Sequence, residues 1–483
     1  MNLEGFIAAL GPSHVLNEAP VEVRDLVYDA RAATPGALFF CVPGTSADGH
    51  QFAGEAVARG AVALVVQRPV EPAVPQLVVS DARAAMAIAA DEFFGRPTEE
   101  LLVAAATGTN GKTTTTFLLH SILDAAGLRP GLIGTVESRV GGDRRPALRT
   151  TPEAIDLQRT FRELVRTGDR SCAIEATSHG SELRRLDRVR MDVLVFTNLT
   201  QDHLDFHGTL ERYFDAKRRL FVVSDSPPAA AVNVGDAYGR RLADELRAAG
   251  RPLLTFGLVD DADVRPTNLV LTPEGTKLEA AGLELTTQLR GTFNAENVLA
   301  AVAAGRLLEL PDHAIVSGIE RLHGVPGRFE AVDEGQPFAV LVDYAHTPDS
   351  LANVFRAARE LTDRRLICVF GCGGDRDRGK RSVMGRIAAE AADVAIVTSD
   401  NPRSEDPLAI VREIVDGRSD LEVEPDRRRA IGLAVGLAEA GDVVVIAGKG
   451  HEQGQEFRDG KIPFDDREVA REALRSLRVK AET

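Results

Sequence analysis

A short polar segment, residues 107–114 (TGTNGKTT), carries side chains and glycines that suit phosphate binding. An apolar run at 101–106 precedes it, and a helical pattern follows it. Because the N–H groups of such a loop and the dipole of the following helix hold polyphosphate oxygens, the segment predicts a nucleotide site. We expect Lys112 to neutralise the β- and γ-phosphates and the Thr113 hydroxyl to bind Mg²⁺. The expected nucleotide contacts in this segment are Gly108, Thr109, Asn110, Gly111, Lys112, Thr113 and Thr114.

One feature of this segment departs from the usual phosphate-binding loop. Ala106 stands where the G-x-x-x-x-G-K-[ST] pattern has its first glycine. The alternative interpretation is an ordinary strand-to-helix turn. The strand before the segment and the helix after it favour the phosphate site.

Two further polar clusters follow predicted strands. Glu175 ends an apolar run, and His203 lies in NLTQDHLDFH, residues 198–207. Open α/β sheets place ligands at the carboxyl ends of their strands, so we expect these groups beside a bound triphosphate, holding Mg²⁺. Taken alone, Glu175 can equally cap a helix, and the histidine-rich stretch can be a surface turn.

Strands and helices alternate along the chain, and they form three blocks with a break at the Gly-Arg-Pro-Thr segment, 95–98. This alternation predicts an α/β fold with parallel, doubly wound sheets. We expect an N-terminal α/β domain at 1–98, a central domain at 99–327 and a smaller Rossmann-like domain at 328–483. In the central domain the predicted strands are 101–106, 131–135, 172–176, 193–198 and 229–234, and the predicted helices are 113–126, 153–166, 210–221, 237–249 and 294–310.

Composition narrows the class of protein. The chain has 483 residues, of which 44% are hydrophobic and 27% charged, as expected for a globular enzyme. Its formal net charge of −15 argues against nucleic acid and anionic membranes as partners. The N-terminus lacks a signal-peptide pattern, no apolar run approaches a membrane span, and the four cysteines show no CxxC spacing. We therefore expect a cytoplasmic protein with reduced thiols.

Taken together, the motifs resemble those of the Mur ligases of peptidoglycan synthesis. The resemblance covers nearly the whole chain and rests on a set of segments, not on any single one. Those segments are TGTNGKTT, IEATSHG, NLTQDHLDFHG, GTFNAENVLAA, VPGRFE, VDYAHTP and GKGHE. The family implies three domains, a central P-loop ATPase-like parallel sheet, and ATP and Mg²⁺ as cofactors. It also implies a role in cell-wall biogenesis, cell shape and cell division.

Within the family, three segments are similar to the tripeptide-forming members: TTPE at 150–153, GCGGDRDRGKR at 371–381 and DNPR at 400–403. The last is similar to the signature of members that add meso-2,6-diaminopimelate. A guanidinium suits the extra carboxylate of that amino acid, so Arg403 decides the expected amino acid. The resemblance implies joining meso-diaminopimelate to the D-glutamate of UDP-MurNAc-L-Ala-D-Glu through an acyl phosphate. A monomer is expected.

The resemblance also implies site residues. Lys112, Glu175, His203 and Lys217 would be catalytic, with Thr113, Glu175, His203 and a carbamylated Lys217 as metal contacts. Near the nucleotide it implies Asn294, Asn297, Arg328 and Asp343. For the UDP-sugar peptide it implies Thr45, Ser46, Ala47, Thr150, Thr151, Thr177 and Arg185. For the amino acid it implies Arg376, Asp400, Asn401, Pro402, Arg403, Gly448 and Glu452.

Plainer interpretations of these residues stay open. Lys217 can be a solvated helix lysine, and Asn294 can be only a helix N-cap. The threonine pair can be a turn before Pro152, Glu452 a solvated loop carboxylate, and Arg328 with Asp343 a routine domain-interface pair.

Three residues depart from the family pattern at the UDP-sugar site. Ala30 replaces a common serine, Leu183 a common glutamine and Arg149 a frequent asparagine. Alternative functions are ligation of L-lysine or another amino acid, a folylpolyglutamate or cyanophycin type of ligase, and an ATP-binding scaffold or regulatory NTPase without ligation. The first domain, with DAR…PGALFFCVPGTSADGHQF, favours a UDP-MurNAc substrate. The presence of Lys112, Glu175, His203 and Lys217 favours ligation over a scaffold.

Overall fold

A computed structural model describes residues 1–44, 47–223, 226–272 and 274–481, with the side chains of 478–481 not described. The chain divides into two compact units. The first comprises Met1–Thr107, Gly127–Leu194 and Phe214–Ala229, and the second comprises Gly108–Ala126, Val195–Tyr213 and Ala230–Thr483. Among the described residues, no helix has both the length and the apolar character that crossing a membrane requires.

The N-terminal stretch folds around a five-stranded sheet. Its strands are β1 (His14–Leu16), β2 (Asp25–Val27), β3 (Ala37–Phe40), β4 (Ala61–Val66) and β5 (Gln76–Val78), and its helices are α1 (Leu3–Leu10), α2 (Ala53–Ala58) and α3 (Ala82–Phe93). The strand order is β1-β5-β4-β3-β2, with β1 antiparallel to β5 and the other pairs parallel. The Asp81 side chain caps α3 by accepting from the Arg83 and Ala84 N–H groups, and the alanines of α3 pack onto buried Phe6, Phe40 and Leu77.

The middle stretch contains the strands and helices around the predicted phosphate loop. Its strands are β6 (Leu102–Thr107), β7 (Pro130–Ile133), β8 (Glu137–Val140), β9 (Asp143–Pro146), β10 (Ser171–Glu175), β11 (Val193–Phe196), β12 (Ala229–Asn233), β13 (Leu253–Phe256), β14 (Pro266–Thr272), β15 (Gly275–Ala280) and β16 (Leu283–Thr287). Its helices are α4 (Lys112–Ala125), α5 (Ala154–Thr167), α6 (Ser178–Glu182), α7 (Leu204–His207), α8 (Leu210–Val222), α9 (Ala237–Ala248), α10 (Thr292–Leu307) and α11 (Asp312–Arg321).

Strands of the middle stretch pair in both directions, and the pairs around the predicted phosphate loop are parallel. In the first unit β10 lies between β6 and β7, parallel to both, and their buried side chains form a near-continuous apolar run. In the second unit β12 pairs with β13 in parallel, while β14, β15 and β16 form an antiparallel sheet of their own. All five strands predicted for the central block are present, with ends shifted by at most two residues.

The C-terminal stretch is a Rossmann-like unit. Its strands are β17 (Glu330–Ala331), β18 (Ala339–Asp343), β19 (Leu366–Phe370), β20 (Val394–Val397), β21 (Glu422–Val423), β22 (Val443–Ala447), β23 (Gln455–Phe457) and β24 (Gly460–Ile462), and its helices are α12 (Pro348–Arg359), α13 (Lys380–Ala391), α14 (Pro407–Val415), α15 (Arg427–Leu437) and α16 (Asp466–Ala481). The six-stranded sheet has the order β17-β18-β22-β19-β20-β21, and only β17 is antiparallel to its neighbour.

Helices cover both faces of this C-terminal sheet. Residues of α12, α13 and α14 form one buried cluster with the sheet, and residues of α15 and α16 form a second. The α/β prediction is therefore confirmed, and the carboxyl ends of β18, β19, β20 and β22 meet at one edge. Hairpins β8–β9 and β23–β24 were not predicted, because their mostly polar, exposed residues carry no apolar run.

Candidate active site

The loop between β6 and α4 approaches its neighbours so closely that two positions require glycine. Gly108 has φ +151°, and a Cβ there would lie 1.8 Å from Thr197 Oγ1. Gly111 has φ +85°, and a Cβ there would lie 2.4 Å from Asn297 Oδ1. Both the left-handed backbone and the contact distances exclude a side chain at these positions. The loop therefore has the compact backbone that binds phosphate oxygens through N–H groups.

Hydrogen bonds from the loop to a neighbouring segment hold the loop in place. The Thr109 N–H donates to the Asn198 carbonyl and the Asn110 N–H to Asn198 Oδ1, both at 2.9 Å. Lys112 Nζ donates to the carbonyl oxygens of Gly108 at 2.9 Å and Thr109 at 2.7 Å. The ammonium thus lies over the loop, and α4 begins at Lys112, so Thr113 and Thr114 are in its first turn. The site therefore combines the positive charge of Lys112 with the N-terminus of α4, and both favour an anion.

The two asparagines predicted near the nucleotide, Asn294 and Asn297, lie in the first turns of α10. Asn297 contacts the phosphate loop at Gly111, and its Nδ2 donates to Asn294 Oδ1 at 3.0 Å. Asn294 Nδ2 donates to the Arg290 carbonyl at 2.9 Å. The helix N-cap is Gly291, so the interpretation of Asn294 as an N-cap is wrong.

His203 lies in segment 198–207, and Asn198 of that segment accepts hydrogen bonds from the phosphate loop. Its backbone is left-handed, with φ +54°, and its Nε2 is 3.5 Å from the Asp202 carboxylate. The ring also makes an edge-to-face contact with Tyr213, whose hydroxyl accepts from Thr109 Oγ1 at 3.2 Å. The described residues contain no cluster of three or more His, Cys, Asp or Glu side chains suited to a metal ion. The Thr113 hydroxyl is a suitable oxygen donor for Mg²⁺, whereas the role of His203 stays a prediction.

A segment before the C-terminal sheet reaches the phosphate loop within the second unit. Arg328 donates to Thr113 Oγ1 at 3.2 Å, and its guanidinium carbon lies 4.5 Å from the centroid of the Tyr344 ring. Asp343 accepts from the Phe329 and Ala345 N–H groups, both at 2.7 Å. Burial raises the pKa of Asp343, and the positive charge of Arg328 opposes that shift. These two residues thus link the phosphate loop to the end of β18.

Asp349, at the start of α12, was missed by sequence reasoning. Its Oδ2 accepts from Asn110 Nδ2 at 2.9 Å and from Thr200 Oγ1 at 2.8 Å. The carboxylate therefore ties the phosphate loop to the segment that carries His203. Its position in the VDYAHTPD segment was the available signal.

The imidazole of His451 packs against Tyr344, the ring that also contacts Arg328. Its ring centroid is 5.4 Å from that of Tyr344, and its Nδ1 is buried without a hydrogen-bond partner among the described residues. Burial, with Arg328 nearby, lowers the pKa of His451 from 6.5 to about 4. The ring is therefore neutral in the folded protein at pH values where it is charged in the unfolded chain.

Replacing His451 with phenylalanine is expected to flatten the acid side of the stability profile. Between about pH 6.5 and pH 4 the unfolded state of the wild type binds a proton that the folded state does not, so stability falls as the pH falls. The slope from this one group approaches about 1.4 kcal/mol per pH unit. Melting temperatures at pH 7.5 and 5.5 measure it, with exposed His14→Phe as the control. An unchanged difference in His451→Phe would contradict the assignment.

The predicted amino-acid contacts gather at the carboxyl edge of the C-terminal sheet. Arg403 has φ +51°, its Nη1 donates to the Gly374 carbonyl at 2.7 Å, and its Nε donates to Glu456 at 3.1 Å. A Cβ added to Gly373 would lie 3.0 Å from Arg403 Nη1 and 3.9 Å from Arg376 Cγ. Both arginines therefore flank the same glycine. Arg376 is exposed and Pro402 is buried.

The remaining members of this set surround Gly448, directly after β22. A Cβ on Gly448, whose φ is +118°, would lie 2.5 Å from Asp400 Oδ2. Asn401 Nδ2 donates to Glu452 Oε2 at 2.8 Å. Glu452 is therefore part of a hydrogen-bonded cluster, and although its side chain is 31% exposed it is not only a solvated loop carboxylate. Sequence reasoning missed Lys449, whose Nζ donates to both Asn401 and Glu452, although it lies in the GKGHE segment.

The first unit holds a second group of predicted residues, around the end of β10. Glu175 Oε1 accepts from the Thr135 N–H at 2.7 Å, and Oε2 accepts from the Thr135 hydroxyl at 3.0 Å. The Thr150 hydroxyl is 3.1 Å from that of Thr135. Glu175 does not cap the following helix, because the N-cap of α6 is Thr177. That alternative is therefore wrong.

The threonine pair forms part of the same cluster. Thr151 Oγ1 donates to the Glu175 carbonyl at 2.8 Å and lies 2.9 Å from Thr177 Oγ1. Thr151 is buried, and Arg185 Nη1 donates to its carbonyl at 3.1 Å. The pair is thus anchored to β10 and α6, and the structure brings Thr150, Thr151, Thr177 and Arg185 together.

Three arginines converge on one buried carboxylate, Glu153, beside the threonine pair. Arg185 is 2.8 Å and Arg149 2.7 Å from Glu153 Oε1, and Arg83 is 3.2 Å from Oε2. Burial lowers the pKa of Arg185, and Glu153 opposes that shift. With two positive charges in excess, the cluster suits an anionic ligand. Arg149, one of the departures, is part of it.

The remaining positions of the predicted UDP-sugar site are Ala30, Thr45, Ser46, Ala47 and Leu183. Ala30 is buried, Leu183 ends α6, and Ala47 is exposed, with its carbonyl accepting from the Gly44 N–H at 2.9 Å. Thr45 and Ser46 lie outside the described residues.

Lys217 lies on α8, and only 1% of it is exposed to solvent. The interpretation of Lys217 as a solvated helix lysine is therefore wrong. An ammonium is rarely buried without a specific reason. Its carbamylation stays a prediction.

The fold and these clusters define the class of protein. It is an α/β protein with a predicted phosphate loop and a Rossmann-like C-terminal sheet. Charged side chains form a cluster at the carboxyl ends of the strands of that sheet. Three family descriptions match the chain: "Mur ligase family, catalytic domain" at 22–94, "Mur ligase middle domain" at 106–305 and "Mur ligase, glutamate ligase domain" at 327–450. The chain belongs to the Mur ligase family, which confirms the resemblance of its motifs.

Similar proteins match over almost the whole chain. The UDP-N-acetylmuramoyl-L-alanyl-D-glutamate–2,6-diaminopimelate ligase of Solibacter usitatus is 48% identical over 95% of this chain and 94% of its own. The protein of the same name from Geobacillus thermodenitrificans is 45% identical over 99% and 100%. A solved structure of a ligase with this name is 32% identical, with a TM-score of 0.68, over 94% of this chain and 95% of its own.

Proposed function

We propose that this chain is an ATP-dependent, ADP-forming ligase that joins meso-2,6-diaminopimelate to UDP-MurNAc-L-Ala-D-Glu in peptidoglycan synthesis. The observation that carries the proposal is the cluster of Arg403, Asn401 and Glu452 at the carboxyl edge of the C-terminal sheet. It offers a guanidinium for a carboxylate and a carboxylate for an ammonium. The names of full-length relatives support the same substrates over L-lysine or a folate.

The proposed reaction proceeds in two steps. The γ-carboxylate of D-glutamate attacks the γ-phosphorus of ATP, which forms an acyl phosphate and releases ADP. The amine of diaminopimelate then attacks that carbonyl, an amide bond forms, and phosphate leaves as the amine loses its proton. The protein mainly positions the reactants and stabilises negative charge.

The residues of the chain have separate roles in this proposal. Lys112 and the N–H groups in the first turn of α4 bind the β- and γ-phosphates, and Arg328 adds positive charge beside Thr113. Thr113, Glu175 and His203 are proposed contacts of Mg²⁺, and a carbamate on Lys217 would support a second Mg²⁺; these ions would supply further charge neutralisation. Thr150, Thr151, Thr177 and Arg185 would bind the peptide of the UDP-sugar substrate. Domains at 1–98, 99–327 and 328–483 are proposed, because each family description falls within one of them to within a residue.

Phosphate release, coupled to product mass, tests the proposed function. The wild type is incubated with ATP, Mg²⁺ and UDP-MurNAc-L-Ala-D-Glu, and with meso-diaminopimelate, L-lysine or no amino acid. We expect a tripeptide product and phosphate release only with diaminopimelate. Preference for lysine would overturn the amino-acid assignment. Turnover independent of the UDP-sugar peptide would point to another acyl substrate, and turnover without any amino acid would point to an NTPase.

Replacing Gly108 with alanine is expected to raise the KM for ATP at least tenfold. The new methyl would meet Thr197 Oγ1 at 1.8 Å and would displace the loop. Steady-state kinetics with each substrate varied in turn measure the effect, and the KM for diaminopimelate should change little. Gly432→Ala is the matched control, because a Cβ there has open space. An unchanged KM for ATP in Gly108→Ala would remove the loop from the nucleotide site.

A carbamate on Lys217 is expected to appear in a ¹³C NMR spectrum. The wild type is equilibrated with ¹³C-labelled bicarbonate, and we expect a carbamate resonance that Lys217→Gln lacks. The burial of Lys217 supports this expectation, because a carbamate would convert the buried cation into an oxygen ligand for Mg²⁺. Identical spectra for the two proteins would contradict the modification.

A further inference from the structure

The ammonium of Lys449 is buried in the predicted amino-acid site. The lysine follows β22, and its side chain is 0% exposed. Its Nζ donates to Glu452 Oε2 at 2.7 Å and to Asn401 Oδ1 at 3.0 Å. A buried ammonium is unfavourable unless it is paired and hydrogen-bonded, and here both partners are residues predicted to contact the amino acid.

These contacts fix the orientation of both partners. Asn401 Oδ1 accepts from Lys449 and from the Glu456 N–H at 2.9 Å, so its Nδ2 points to Glu452. Among the described residues, both side-chain hydrogen bonds to Glu452 end on Oε2. Oε1 is therefore the oxygen left to accept from a substrate ammonium.

Lys449 also sets the charge of the cluster. Among the residues predicted to contact the amino acid, together with Lys449 and Glu456, there are three positive charges and three negative charges; the positive ones are Arg376, Arg403 and Lys449, and the negative ones are Asp400, Glu452 and Glu456. Buried Arg427, which donates to the Ala447 carbonyl next to Gly448, is paired with Asp466 and adds no net charge. Arg403 pairs with Glu456 at 3.1 Å, and Lys449 pairs with Glu452 at 2.7 Å. The cluster is thus balanced, and loss of the Lys449 charge would leave one negative charge in excess.

Charge balance distinguishes two kinds of amino acid. The far end of diaminopimelate carries an ammonium and a carboxylate, so its net charge is zero. The far end of L-lysine carries an ammonium alone. A site with one excess negative charge attracts a bare cation more strongly than a zwitterion, and at these distances one unit charge alters binding by about tenfold or more.

We propose that Lys449 is a specificity-determining residue, which positions Asn401 and Glu452 and balances the Glu452 charge so that the site prefers a zwitterionic side-chain end. This inference rests on the proposed function. Lys449 is a positioning residue, because it acts through Glu452 and Asn401.

The ratio of kcat/KM for meso-diaminopimelate to that for L-lysine tests the proposal. Lys449→Gln keeps an N–H donor but removes the charge, and we expect the ratio to fall at least tenfold while the KM for ATP stays unchanged. Lys449→Arg keeps the charge and should retain the ratio within about threefold. Glu452→Gln tests the same balance from the other side, and there the ratio should rise. Lys277→Gln, an exposed lysine on β15, is the matched control.

The outcomes separate this inference from the proposed function. Equal losses for both amino acids in Lys449→Gln, or a ratio that falls in Glu452→Gln, would overturn the specificity role while tripeptide formation by the wild type stands. Absence of tripeptide formation by the wild type with either amino acid would overturn the proposed function, and this inference with it. If Lys449→Gln fails to fold, the direction of the change in Glu452→Gln decides.

Discussion

Replacement of Lys112 with alanine is expected to lower kcat at least about 10³-fold, with the fold intact. In the structure the Lys112 ammonium lies over the carbonyls of the phosphate loop, at a helix N-terminus. Without the Lys112 ammonium, the negative charge that develops on the transferred phosphoryl group loses its main stabilising cation from the protein. Electrostatic stabilisation of this kind supplies much of the catalysis in phosphoryl transfer. Phosphate release under saturating substrates measures the effect.

The control for this variant addresses both charge and folding. Lys277→Ala removes an exposed lysine from β15 and should leave kcat unchanged. The melting temperature of Lys112→Ala should stay within a few degrees of the wild type, because Lys112 Nζ bonds the carbonyls of Gly108 and Thr109, which belong to its own segment. Activity near that of the wild type in Lys112→Ala would remove the phosphate-loop assignment.

Replacement of Arg403 with alanine is expected to reduce kcat/KM for meso-diaminopimelate by about 10²-fold or more. A charge-assisted contact between a guanidinium and a carboxylate is among the stronger polar interactions, and its loss leaves the substrate carboxylate without a partner. The KM for UDP-MurNAc-L-Ala-D-Glu should change by less than about threefold. Initial rates with each substrate varied in turn give both values.

A neighbouring arginine provides the matched control. Arg458 donates to the Ser404 carbonyl at 2.6 Å and is exposed, so Arg458→Ala removes a nearby guanidinium without touching the cluster. Its kinetics should match those of the wild type. Equal losses for both substrates in Arg403→Ala would contradict a role in amino-acid specificity.

Local patterns predicted most of the strands and helices. The five strands predicted for the central block, β6, β7, β10, β11 and β12, are short and mostly buried apolar runs, so composition and length identified them. The helix predicted at 294–310 begins at Thr292 and ends at Leu307, a shift of two or three residues. The hairpin β8–β9 escaped prediction, because strand pairing there involves polar, exposed residues.

The site was predictable where chemistry follows from residue type in a short segment. The loop 107–114, Glu175 at the end of β10 and the DNPR segment all place candidate site residues at the ends of apolar runs or directly after them. Lys449 and Asp349 were missed, because each acts through partners far away in the chain. Lys449 bonds Asn401, and Asp349 bonds Asn110 and Thr200.

The sequence alone determined the α/β class and the family and predicted the phosphate loop, because each depends on residue types in short segments and on the alternation of strands and helices. Only the tertiary structure decided which side chains are buried and with which partners. Lys217 is buried, not solvated, and Glu452 is paired with Lys449. Burial and long-range pairing depend on how separate segments pack, and no local pattern encodes the distance between two segments.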